Sequence, residues 1–155
     1  LYRQAGTSWP ASAPGTRERL GWAVGEHCPS AINCSYADRT EWAPLLNETL
    51  EDQYLWRDHR GHFHAITHKN PAGGVSSHLW SGDGLRWRTS PVAPYTDTIA
   101  LEGGRSYTCG KRARPMLIVE GGRPRYLSTG ASYAKAEGGG DHTFTTMQAV
   151  RGGPS

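Results

Sequence analysis

The chain of 155 residues has only two Phe, two Met and three Cys, and its charges nearly cancel, leaving a net +3. Scarce Phe and Met beside twenty glycines and ten prolines argue against a helical protein, whose interior needs long apolar side chains and few breakers. No window of about a dozen residues carries an apolar stripe of helical period, and no apolar run approaches the roughly 20 residues that cross a bilayer. Basic residues gather only in short runs, Lys111-Arg112-Ala113-Arg114 and Arg123-Pro124-Arg125. In a nearly balanced chain these are too short to form a phosphate-tracking surface, so neither a membrane span nor a nucleic-acid partner is expected.

What the chain does have is six Trp, seven Tyr and frequent turn residues, the composition of an all-β protein. The length suits one domain with a core of its own. The stretch from Glu51 to Trp87 sets the pattern. Tyr54-Leu55-Trp56 reads as a strand and Asp58-His59-Arg60-Gly61 as a turn. From His62 to His68 the residues alternate, with Phe63, Ala65 and Thr67 on one face and His62, His64, Ile66 and His68 on the other. A Pro/Gly loop leads to a third strand, Ser76–Ser81. Ser-Gly-Asp-Gly then makes a tight turn, because glycine accepts positive φ and aspartate bonds its own backbone. Leu85-Arg86-Trp87 is expected to start a fourth strand. Four sequential antiparallel strands build a propeller blade or one sheet of a sandwich.

Strands are expected at Leu1–Arg3, Arg19–Gly25, Thr96–Leu101, Met116–Glu120 (read as buried), Arg125–Thr129 and Thr143–Val150, with turns at Glu102-Gly103-Gly104 and Gly121-Gly122. The chain divides into the remainder of one blade (1–46), a complete blade (47–100), and a further blade with a closing strand (101–155). Opening on Leu1 without a methionine or signal peptide, it is expected to be a processed or truncated piece of a longer protein. A repeat supports the blade reading: Asp52–Asp58 followed by Gly61 echoes Arg114–Glu120 followed by Gly122, an offset of 61 between the glycines.

Glu51-Asp52-Gln53-Tyr54-Leu55-Trp56-Arg57-Asp58 with Gly61-His62-Phe63-His64-Ala65 resembles the blade-opening pattern of five-bladed β-propeller glycoside hydrolases of the arabinanase and β-xylosidase type (family 43) and their extracellular relatives. Ser81-Gly82-Asp83-Gly84-Leu85-Arg86-Trp87 is similar to the hairpin that follows there. Lys111-Arg112-Ala113-Arg114-Pro115 is similar to the next blade's Arg-Glu-Arg-Pro opening, and Phe144–Gln148 to a closing strand. The resemblance covers the chain from about Trp42 onward and corresponds to about half of such a domain. It implies a partial five-bladed propeller whose paired carboxylates face a central funnel. Asp52 is then the tuning aspartate or the base. His68, Arg112, Arg114, His78 and Trp80 are implied as carbohydrate-binding residues. No cofactor is expected, although the resemblance allows a funnel-bound Ca ion. Ala113 stands where the related opening carries a glutamate, and alanine can neither donate a proton nor hold charge. Impaired or absent catalysis is therefore expected.

Structural readings stand beside the functional ones. Asp52 could simply cap the turn before its strand, and the histidines could make ordinary polar contacts. Two same-face histidines on a strand lie roughly 7 Å apart, so two could share an ion but three could not without bending. Tyr54, Trp56, Trp80 and Trp87 suit inter-blade core as well as sugar stacking. Asn33-Cys34-Ser35 and Asn47-Glu48-Thr49 are sequons for N-linked glycans, and Cys28 and Cys34 can close a small disulfide loop, which together point to an extracellular, secreted protein. Cys109 is either a buried thiol or paired with another chain or a missing segment. Two functions follow: a secreted glycosidase-like propeller holding carbohydrate in its funnel, or a non-catalytic structural or adhesion glycoprotein subunit that assembles with other chains.

Overall fold

The computed structural model describes residues 2–4, 19–21, 23–26, 28, 34–38, 50–69, 76–133 and 143–150. Among these the protein is all-β, with strands joined only antiparallel and no α-helix. Two short hairpins come first. β1 (Tyr2–Gln4) pairs with β2 (Arg19–Gly21), and β3 (Ala23–Glu26) pairs with β4 (Ser35–Asp38). The β3–β4 hairpin carries the expected disulfide between Cys28 and Cys34. The sequons at Asn33 and Asn47 lie outside the described residues.

The organising stretch forms a four-stranded sheet in chain order: β5 (Leu50–Arg57), β6 (Phe63–Lys69), β7 (Ser76–Ser81) and β8 (Arg88–Thr89). One expectation is corrected here. Leu85-Arg86-Trp87 is not strand; it belongs to an extended turn, and pairing resumes only at Arg88 and Thr89 opposite Trp80 and Leu79. The cause is the turn's own hydrogen bonding. Asp83 Oδ1 accepts from the N–H groups of Leu85 at 2.9 Å and Arg86 at 2.8 Å, and the Trp87 indole N–H donates to the Gly84 carbonyl at 3.1 Å. Backbone donors satisfied by a side chain are not offered to a neighbouring strand.

After a crossing segment come a small hairpin, β9 (Thr98–Ala100) with β10 (Ser106–Thr108), and a three-stranded sheet, β11 (Lys111–Glu120), β12 (Arg123–Ser132) and β13 (Thr143–Ala149). Strand β10 was not expected from the sequence, nor was β4. The expected buried strand at Met116–Glu120 is half exposed: Leu117 faces inward, but Met116 is 60% exposed and Ile118 43%.

The repeat is real in three dimensions, and its offset is 62. Tyr54 opposite Ile66, Trp56 opposite His64 and Glu51 opposite His68 reappear as Met116 opposite Ser128, Ile118 opposite Tyr126 and Ala113 opposite Gly130. The second turn is one residue shorter, which brings the glycines to 61, and an irregularity between Ile118 and Val119 restores the register. Both first strands also carry a bulge at the same place, with Asp52 at φ 54° and Arg114 at φ 55°. Two non-glycine residues in left-handed geometry at equivalent positions mark a shared backbone design, since bulges re-aim side chains.

The sheets pack side by side, β11 against β5 and β6. Ile66, Tyr95 and Leu127 form the seam, with Tyr54, Trp56 and Leu117 against them. At one end the two turns touch: a Cβ added to Gly122 would collide with the backbone of Asp58 and His59. Both faces of the first sheet carry buried residues. Ala65, Thr67 and Leu79 are buried on the side opposite the seam.

Candidate functional site

A cavity of about 630 Å³ opens at the end of the sheets where the two bulges lie. Glu51 and Asp52 reach it from β5, Lys111, Ala113 and Arg114 from β11, and Phe144 from β13. Its origin is legible in the repeat. Where the first sheet places the Glu51–His68 pair, the second has Ala113 and Gly130, which remove side-chain volume and leave space.

His68 lies immediately behind the rim, fully buried. Its Nδ1 meets Glu51 Oε1 at 3.0 Å. The carboxylate accepts, so Nδ1 carries a proton, and Nε2 is buried without a hydrogen-bond partner. Asp97 Oδ1 is likewise buried and unpartnered, and burial raises its carboxyl above the ordinary range against the opposing pull of Arg112 and His68. Arg112 is 1% exposed, yet each branch of its guanidinium is used. It donates to Thr129 Oγ1 at 2.8 Å, the Thr96 carbonyl at 3.0 Å and Gln148 Oε1 at 2.6 Å. Its charge also sits 5.1 Å from the Tyr95 ring centroid. Burial pushes the Tyr95 hydroxyl upward, Arg112 opposes that, and the charges of Asp52 and Asp97 add to it. Arg112 thus ties β11 to β12, β13 and the crossing segment.

The other described histidines do not line the cavity. His64 Nε2 lies 3.3 Å from Asp58 Oδ2, and its Nδ1 lies 3.0 Å from His78 Nε2. With the carboxylate accepting at Nε2–H, the two imidazoles share one hydrogen bond between His64 Nδ1 and His78 Nε2. Both rings stack on Trp56, at centroid distances of 4.9 and 5.8 Å. Burial, then the neighbouring His64, lowers the His78 pKa to about 4. Burial alone would raise Asp58, but hydrogen bonds from the His62 N–H, the Arg60 side chain, His64 and the Arg60 N–H hold it well below the usual range. Trp80 carries Arg88 over its ring at 5.4 Å, and Trp87 is buried.

Of the residues singled out in the sequence, Asp52 and Arg114 line the cavity, and His68 stands behind it through Glu51. Arg112, His78 and Trp80 do not line it. Glu51, Lys111 and Phe144 also line it, and no local motif marks them as binding residues. The repeat held a signal for the first, because Glu51 is the counterpart of the singled-out Ala113.

Glu51, Asp52 and His68 each bring one potential ligand atom within 4.8 Å of the others. They do not make the calcium cage that the resemblance allows. Calcium takes about six to eight oxygens, whereas these donors include an imidazole whose Nδ1 is already bonded to Glu51. No described helix is long and apolar enough to cross a membrane. No family model, curated protein or solved structure matches the chain.

Proposed function

We propose that the two sheets are neighbouring blades of a propeller of the glycoside-hydrolase type, and that the chain holds carbohydrate in the cavity at its strand starts without hydrolysing it. The observation that carries this reading is the pair of equivalent bulges. They bring Asp52 and Arg114 to one cavity together with Glu51, while the position that would supply a proton is Ala113, on the same wall. Hydroxyl-rich ligands are recognised by converging charged and polar groups, and Glu51, Asp52, Lys111 and Arg114 supply them. Hydrolysis needs a carboxylic acid poised to protonate the leaving oxygen. The one carboxylate on the strands of the second sheet, Glu120, lies at the far end of β11 and pairs with Arg125 at 3.4 Å.

A second reading, a non-catalytic extracellular subunit assembling with other chains, is favoured by one observation. Met116, Ile118, Tyr126 and Met147 lie in adjacent rows on the outer face of the second sheet, and all are exposed. They correspond to the face of the first sheet that the second sheet covers, so a further blade would cover them.

Titration with arabinan and xylan oligosaccharides, with assay for released reducing ends, tests the first reading. Binding without turnover is expected, weakened by Asp52→Asn. Turnover that disappears in Asp52→Asn would overturn the non-catalytic part, and no binding of any sugar would overturn the whole.

A further inference from the structure

We infer that the sugar held in this cavity is anionic, a ring bearing a carboxylate or a sulfate. The inference rests on the carbohydrate reading above and specifies its ligand class. Lys111 and Arg114 both line the cavity, and the side chain of neither forms an ion pair or a hydrogen bond with any described residue. Neither acidic residue on the rim is ion-paired with them. Glu51 is engaged by His68 at 3.0 Å, and Asp52 lies more than 4.0 Å from either cation, since no ion pair forms. A neutral sugar would leave two cations facing its hydroxyls.

An acidic sugar uses the whole wall. Its anionic group bridges Arg114 and Lys111, with the guanidinium able to hold two oxygens in parallel. Its hydroxyls donate to Asp52. Arg114 is suited to this by its backbone. At φ 55°, in a bulge followed by Pro115, its Cα–Cβ direction is fixed by the strand rather than by a mobile loop. The contrast with Arg112, two residues earlier, is informative. That guanidinium is consumed by Thr129, Thr96 and Gln148, so of the two arginines only Arg114 is left for a ligand.

The test is calorimetric titration of the whole chain with trigalacturonate, a sulfated galactan trisaccharide and neutral arabinotriose at fixed ionic strength. One or both anionic sugars should bind at least ten-fold tighter than the neutral one. Lys111→Gln with Arg114→Gln should abolish that preference, and the first two titrants distinguish carboxylate from sulfate. Arg123→Gln with Arg125→Gln, at the opposite end of the sheet, should leave it intact, which separates a built site from the attraction of a basic chain. Equal affinity for the three sugars, or a preference that survives the cavity double variant or is lost in the distal one, overturns the inference while leaving carbohydrate binding standing. Failure of all three to bind removes both. Circular dichroism of the cavity variant establishes that it is folded.

Discussion

The hydrogen-bonded chain from Asp58 through His64 to His78 makes stability depend on proton uptake. His78 is held at about 4, below its ordinary 6.5, so the unfolded chain takes up this proton first as pH falls. Its contribution is complete above pH 6.5 and declines through the window down to about 4. His64 and Asp58 face the same ring system. The loss of Asp58's contribution begins as pH falls through the ordinary carboxyl value of 3.8, where the unfolded chain takes up its proton, and continues well below it because the folded value is depressed. Urea midpoints measured at several pH values should fall across the His78 window, and His78→Gln should flatten that part of the curve. An unchanged slope in the variant would show that another group is responsible.

At the level of the element, the packing of one hairpin turn on the other rests on Gly122. A methyl group there meets the backbone of His59, which cannot swing aside as a side chain would. Gly122→Ala should cost about 2 to 3 kcal/mol in chemical denaturation through overpacking added to an unfavourable φ. Gly121→Ala, with open space around its added Cβ, should cost only about 1 kcal/mol from backbone strain. Near-equal costs would mean that the turns are not in contact. The strands and turns themselves were largely readable because alternation and turn chemistry are local. The Ser81–Asp83 turn forms as its residues dictate, with Gly84 N–H bonded to Ser81 Oγ at 2.9 Å. What local pattern could not convey was how far that turn reaches. Asp83 collects two further N–H groups and displaces the strand expected at Leu85. Nor could it convey which faces are covered: MLIVE reads as core, but only its inward residues find a partner sheet. Asp52 and Arg114 were visible as candidates through resemblance. Their convergence on one cavity depends on tertiary packing between the sheets, which no run of neighbouring residues encodes.

For the molecule as a whole, the second sheet leaves Met116 and Met147 about 60% exposed in one row with Ser128 between them. Apolar rows of this kind mark surfaces that associate. Replacing both methionines with lysine should leave folding free energy within about 0.5 kcal/mol, because neither side chain is buried. It should also lower light scattering and apolar-dye binding in concentrated solution. A substantial drop in stability would instead show that this face is already packed against part of the same chain. The described residues form no closed ring of sheets, so the order of blades around an axis belongs to the proposed propeller.

The burial of Cys109 against Ile99 and Ala131 has a further consequence. Burial raises its thiol pKa, with Arg112 opposing and Asp97 adding to the rise, so little reactive thiolate is available at neutral pH. The bridge between Cys28 and Cys34 is consequently shielded from exchange with the third cysteine once the sheet has formed. Scrambling would have to occur earlier, during oxidative refolding, before β10 and β12 close around that sulfur.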